Sequence, residues 1–229
     1  MSPLKLYHAS AAVVKKPQWD YAREILKDDF AELRDFGLGF YTCADKEYPL
    51  KIAAFHNETV YLNEYEIDIA NLNVVELKLD IEWLISIAFH RREFAGRKKY
   101  TEIKERCRAW LRGFDIVIGT ISNDRTFSAI EGFLDNTLSD TTSISMVDAS
   151  KYGVQYTLKS DKACERLKWL NSYKLTADEV SKYKKIFENE KREYSGRAEE
   201  IKIALYKKHE GDLLATIIGE GLFNGRVRF

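Results

Sequence analysis

The apolar positions of this chain follow two rhythms, short runs of strand character and longer stretches with helical spacing, and the two interleave along the sequence. Leu4 to His8 predicts a short buried strand, and Pro17 interrupts the loop after it. Tyr21 to Leu33 sets Tyr21, Ile25, Leu26, Phe30 and Leu33 on one helical face. A glycine-containing strand follows, in which Gly37 and Gly39 flank Leu38 and permit either a bulge or a close backbone approach to a ligand. Asp45 to Asn57 predicts a helix with Ile52, Ala53 and Phe55 inside and Pro49 in its early part. Val60 to Ile67 and Val74 to Leu79 alternate as strands do.

The second half repeats the mixture. Glu82 to Arg92 and Tyr100 to Leu111 read as helices, and Phe114 to Gly119, rich in β-branched residues, is the strongest buried-strand signal of the chain. Thr126 to Leu138 predicts a helix, Val154 to Leu158 a strand and Asp161 to Leu167 another helix. Beyond Thr176 the rhythm is helical and charged. Ala177 to Glu193 and Arg197 to His209 predict two helices, and Leu213 to Ile218, before Gly219, Gly221 and Gly225, is apolar enough to dock on the core or on a partner.

Composition narrows the picture only a little. A chain of 229 residues buries roughly 70–75% of its unfolded surface and needs no disulfides to stand. Its 36 basic and 36 acidic residues cancel, which removes any whole-chain electrostatic argument for nucleic acid or membranes. Cys43, Cys107 and Cys164 are isolated, which argues against a zinc site or a disulfide framework. The opening Met1-Ser2-Pro3-Leu4-Lys5 does not read as a signal peptide, and no apolar run approaches the ~20 residues that span a bilayer. A soluble cytoplasmic protein is expected.

Three motifs carry chemistry. Leu6-Tyr7-His8-Ala9-Ser10 puts a histidine on an apolar first strand, and Asp35-Phe36-Gly37-Leu38-Gly39-Phe40-Tyr41-Thr42-Cys43 forms the glycine-rich strand. Histidine hydrogen-bonds a ribose and tyrosine stacks on a planar ring, which suits gripping a dinucleotide. Asp115-Ile116-Val117-Ile118-Gly119, then Asn123-Asp124, a helix and a strand carrying Gln155 complete the succession. Together these resemble the ADP-ribosyltransferase superfamily, in a bacterial branch marked by Leu-Tyr-His-Gly-Ser and Asp-Phe-Gly-x-Gly-Phe-Tyr-Thr-Thr. The resemblance covers about Leu4 to Leu170. It implies an α+β core built as a split β-sandwich of two small antiparallel-rich sheets with helices around an NAD cleft, over residues 1–172. Residues 173–229 are then a helical C-terminal extension.

Carried over by motif, the resemblance assigns the ribose-holding role to His8, with Ser10 nearby, and the aromatic role to Tyr41, with Phe40 as second choice; these residues and Gly39 are the expected cofactor-binding set. Its late-strand position, a carboxylate in much of the superfamily, is Gln155. An amide bonds a ribose hydroxyl but neither acts as a general base nor carries negative charge toward an oxocarbenium ion. Asp124 and Glu131 are the candidate substitutes, although Asn123-Asp124 serves equally as a cap for the helix that follows. The catalytic set expected is His8, Tyr41 and Gln155, with NAD as co-substrate and no metal.

The resemblance implies an NAD-dependent mono-ADP-ribosyltransferase acting as a bacterial toxin or defence effector, with an antitoxin among its partners. The alternatives are an NAD glycohydrolase and a non-catalytic nucleotide-binding module. The acceptor is a protein, or a nucleic acid reached through the basic segment from Arg91 to Arg112, where Tyr100 and Trp110 would supply stacking. The rival reading of that segment is a pair of solvated helix faces.

Overall fold

Seven short strands pair into one mixed sheet in a computed structural model that describes residues 3–20, 34–91, 98–122, 126–206, 210–219 and 227–229. The expected helix from Tyr21 to Leu33 and the Asn123-Asp124 pair lie outside these residues. The strands are β1 (Leu4–Ser10), β2 (Phe40–Cys43), β3 (Tyr61–Ile67), β4 (Val74–Leu77), β5 (Ile116–Thr120), β6 (Val154–Leu158) and β7 (Leu167–Lys174), in the order β4-β5-β6-β2-β1-β3-β7. Every pairing is antiparallel except β4 with β5, where the crossover supplies helices to cover the pair.

The joint in the middle positions the site. β1 pairs with β3 over its whole length, from Leu4 opposite Ile67 to Ser10 opposite Tyr61, and β2 pairs with β6 from Phe40 opposite Leu158 to Cys43 opposite Gln155. Between β1 and β2 the register holds one partner pair, Tyr7 opposite Cys43. Where two sheets were expected there is one sheet of two halves, joined at that pair.

Among the described residues eight helices surround the sheet: α1 (Glu47–His56), α2 (Ile81–Arg91), α3 (Lys98–Arg112), α4 (Phe127–Leu134), α5 (Asp140–Asp148), α6 (Asp161–Arg166), α7 (Ala177–Tyr206) and α8 (Leu214–Gly219). α2 is buried on all sides from Glu82 to His90, as a helix that is apolar all round must be. Asp80 Oδ1 accepts from the main-chain nitrogens of Glu82 (3.0 Å) and Trp83 (3.2 Å) to cap it, and Trp83 Nε1 donates to the Thr120 oxygen (3.0 Å), tying α2 to the end of β5. Among the described residues no helix is long and apolar enough to cross a membrane.

Three expectations change. The helix predicted from Thr126 to Leu138 ends at Leu134, with Asn136 at φ 57° as its left-handed stop, and α5 then begins behind Ser139, whose Oγ accepts from Thr142 N (3.2 Å). The helix expected from Asp161 to Leu167 ends at Arg166, and β7, for which no element was expected, begins at Leu167 because it completes the edge of β3. The two C-terminal helices are one helix of 30 residues, α7, running through Gly196. A glycine inside a helix costs roughly 0.5–1 kcal/mol, and Tyr194 and Ala198, buried in the core on either side of it, outweigh that cost. A capping box starts this helix: Thr176 N donates to Glu179 Oε2 (2.8 Å) and Glu179 N to Thr176 Oγ1 (3.3 Å).

The expected extension is built into the core. Lys51 of α1 pairs with Glu190 of α7 (2.8 Å), and Phe55 stacks on Phe187 with ring centroids 4.7 Å apart. Leu214, Ile217 and Ile218 dock on the same core as α2, together with Val227 and Phe229. Arg228 Nε reaches both oxygens of the buried Glu82 (3.0 and 2.8 Å).

Candidate active site

Two hollows open at the joint between β1 and β2, and both are lined by Arg34 and Tyr41. The upper one, about 570 Å³, runs along His8, Ser10 and the loop from Ala11 to Lys16, with Gly39 and Phe40 as its floor. The lower one, about 290 Å³, is lined by Asp35, Arg91, Ser122 and Gln155 on one side and by Tyr48, Phe55, His56, Phe187 and Lys191 on the other.

His8 stands at the end of β1. Its Nδ1 lies 2.9 Å from the main-chain oxygen of Tyr41, and its ring packs on Phe40 with centroids 4.6 Å apart. A carbonyl only accepts, so Nδ1 carries the proton. Burial holds the His8 pKa below 6.5, against the Tyr41 bond and with help from the Arg34 charge. The imidazole is therefore neutral at pH 7, and Nε2 is a hydrogen-bond acceptor. Ser10, expected beside it, turns its hydroxyl to the Ala12 oxygen (3.0 Å).

The glycine-rich turn is explained by packing. Gly37 takes a φ of 74°, and a Cβ on Gly39 would stand 2.4 Å from Thr157 Cγ2 and 3.0 Å from the Leu158 oxygen. The close approach that demands glycine at position 39 is thus to β6, while Gly39 also lines the larger hollow. Lys159 seals the same turn from below, donating to the main-chain oxygens of Phe36 and Leu38.

Tyr41 is tied into the turn as well. Its hydroxyl accepts from Phe36 N (3.1 Å) and donates to the Gly37 oxygen (2.6 Å), and burial with the nearby Asp35 charge raises its pKa. Its ring separates the hollows, with the Arg34 guanidinium 5.7 Å above its centroid.

Gln155 reaches the lower hollow from β6, and the residue it meets is Asp35. Both are 6% exposed, and Gln155 Nε2 lies 2.7 Å from Asp35 Oδ2. Ser122 N donates to the same oxygen (2.9 Å), Arg91 approaches Oδ1 (3.3 Å), and Arg91 also donates to Ser122 Oγ (3.0 Å). A buried carboxylate requires such company. Sequence reasoning sought a carboxylate at Asp124 or Glu131. Asp124 lies outside the described residues, and Glu131 lies on α4 and lines neither hollow. The carboxylate beside Gln155 is the first residue of the glycine motif itself. A pair 120 positions apart leaves no local signal, so the motif alone did not reveal it.

Of the basic segment, residues 92–97 lie outside the described residues, and among those described Arg106 and Arg112 are exposed. Arg91 serves Asp35, Lys104 is 4% exposed, and Arg108 lies half-buried beside the core cysteine Cys107. Tyr100 packs on Phe89 (6.0 Å between centroids), and Trp110 packs on Phe114 (5.4 Å) and Phe229 (5.5 Å) beneath the Arg228 guanidinium. Both rings are half-buried by this packing.

The molecule is an α+β protein whose sheet of two halves carries a cleft at the joint, lined by histidine, tyrosine, arginine and a paired carboxylate and amide. Residues 4–169 match the family described as a protein of unknown function, DUF3990, and the chain belongs to that family. The match ends inside β7, so α7, which brings Phe187 and Lys191 to the lower hollow, lies beyond it. No curated protein and no solved structure matches the chain.

Proposed function

We propose that this protein cleaves NAD and transfers ADP-ribose to a macromolecular acceptor. The observation that carries the reading is the cleft at the β1–β2 joint, where two hollows meet at Arg34 and Tyr41 with His8 on one side and Gln155 on the other. The donor set suits a dinucleotide. Neutral His8 and the amide oxygen of Gln155 are acceptors for ribose hydroxyls, Arg34 between them is a cation for the pyrophosphate, and Phe40, Tyr41 and Tyr48 offer ring faces. Breaking the nicotinamide–ribose bond develops positive charge on the sugar, so the residues' task is to hold the ribose and exclude competing water rather than to form a covalent bond. The toxin or defence role rests on the family resemblance of the three motifs.

The test is incubation with NAD while free nicotinamide is measured, with and without cell protein or nucleic acid, and with labelled NAD to trace the acceptor. Nicotinamide release with label in a macromolecule is the expected result. Release without transfer means a glycohydrolase. Binding without release supports a nucleotide-binding module, a second reading that the uncharged amide of Gln155 favours.

A further inference from the structure

The direction in which the Gln155 amide points decides what the lower hollow recognises. Nε2 lies 2.7 Å from Asp35 Oδ2, and a carboxylate only accepts, so the NH₂ end of the amide is the end turned to Asp35. Oε1 is then the end left for the hollow that Gln155 lines, and it is not among the buried polar atoms without a partner. Asp35 cannot swing to any other arrangement at low cost, since Ser122 N, just beyond β5, and Arg91 of α2 hold its two oxygens. Arg91 balances the carboxylate, so what Gln155 presents is an oriented dipole rather than a net charge.

We propose that Asp35 is a positioning residue that locks Gln155 with Oε1 presented as the acceptor for a ribose hydroxyl. The work of one acidic side chain is divided between two residues. The acceptor atom belongs to Gln155, and the carboxylate that orients it stands behind at Asp35. The inference rests on the NAD reading above and names the part of the substrate, a hydroxyl donor on the sugar, that this end of the cleft selects.

Four proteins test it: wild type, Asp35→Asn, Gln155→Glu, and the exchange Asp35→Asn/Gln155→Glu. Arg34, His56, Arg91, Lys191 and the Tyr41 hydroxyl share the hollow with the pair and are present in all four. Asparagine both donates and accepts, so Asp35→Asn frees the amide to turn; kcat for nicotinamide release falls at least about tenfold while KM moves less than about threefold. Gln155→Glu sets two carboxylates at hydrogen-bond distance, where they share a proton. The folded protein then holds that proton to higher pH than the unfolded chain, and the melting temperature falls as pH rises from about 5 to 8 relative to wild type. The exchange reverses the hydrogen bond, removes that slope and returns kcat to within about threefold of wild type or above it.

A wild-type kcat in Asp35→Asn, or an exchange no better than Asp35→Asn alone, overturns the proposal. Should Asp35→Asn fail to fold, the exchange against Gln155→Glu carries the same comparison. A wild type that neither binds NAD nor releases nicotinamide overturns the NAD reading instead. The pairing is judged separately by the pH slope, and a Gln155→Glu protein whose slope matches wild type refutes it.

Discussion

His8 Nδ1 donates to the main-chain oxygen of Tyr41 over 2.9 Å, a side-chain bond spanning the same joint at which β1 and β2 share one register pair. The bond fixes the tautomer and leaves Nε2 for a ligand. His8→Ala is expected to abolish most of the rise in melting temperature that NAD produces, a stabilisation of about 2.7 kcal/mol at 100 times the dissociation constant. An NAD-dependent rise equal to wild type in His8→Ala shows that the imidazole only braces the joint.

His90 is expected to make the fold acid-sensitive. Burial first, then the Lys159 charge, pushes its pKa down to about 3 from 6.5, against a 2.8 Å bond from Nδ1 to the Ser86 oxygen. Between those values the unfolded chain takes up a proton that the folded protein refuses, so stability falls as pH drops, by about 1.4 kcal/mol per unit below 6.5. Urea midpoints measured from pH 7.5 to 5 should drop accordingly, and His90→Gln should flatten the curve. Parallel curves for the two proteins would show that another group sets the acid limit.

Gly39→Ala should destabilise the protein by about 1–3 kcal/mol through overpacking, since its Cβ would meet Thr157 Cγ2 at 2.4 Å. Thr157→Ser removes that methyl. In the double variant about half of the loss should return, with the Leu158 oxygen at 3.0 Å accounting for the remainder. Additive losses in denaturant melts would mean that the turn relaxes away from β6.

Removal of the C-terminal segment should not release a folded core. A chain ending at residue 172 loses Tyr173 and Lys174, the partners of Leu62 and Tyr61, and uncovers Phe55 and the core contacts of Tyr194, Leu214 and Phe229. A fragment of residues 1–172 is expected to aggregate or to bind a hydrophobic dye. A soluble fragment with a cooperative melt would establish the extension as an independent unit.

Local order was legible in the sequence wherever one element carries its own signal. The strand Val154 to Leu158 stands where its pattern put it, the strands expected at Val74 to Leu79 and Phe114 to Gly119 form at Val74–Leu77 and Ile116–Thr120, and α1, α2 and α3 differ from expectation by a residue or two at their ends. His8, Phe40 and Tyr41 were legible as cleft residues because their motifs are contiguous. Glycine at position 39 was legible as a demand for space, but not as space for Thr157. β7 was not legible, because an edge strand is specified by the open hydrogen bonds of β3 more than by its own mixed pattern LKWLNSYK. Nor was the continuity of α7 through Gly196, which burial on the core decides. Tertiary structure alone brought Asp35 to Gln155 and Arg91, and Phe187 to Phe55. Each is a contact between residues far apart in the chain, made when the two halves of the sheet and the long helix close on one cleft, and periodicity along a chain carries no record of such meetings.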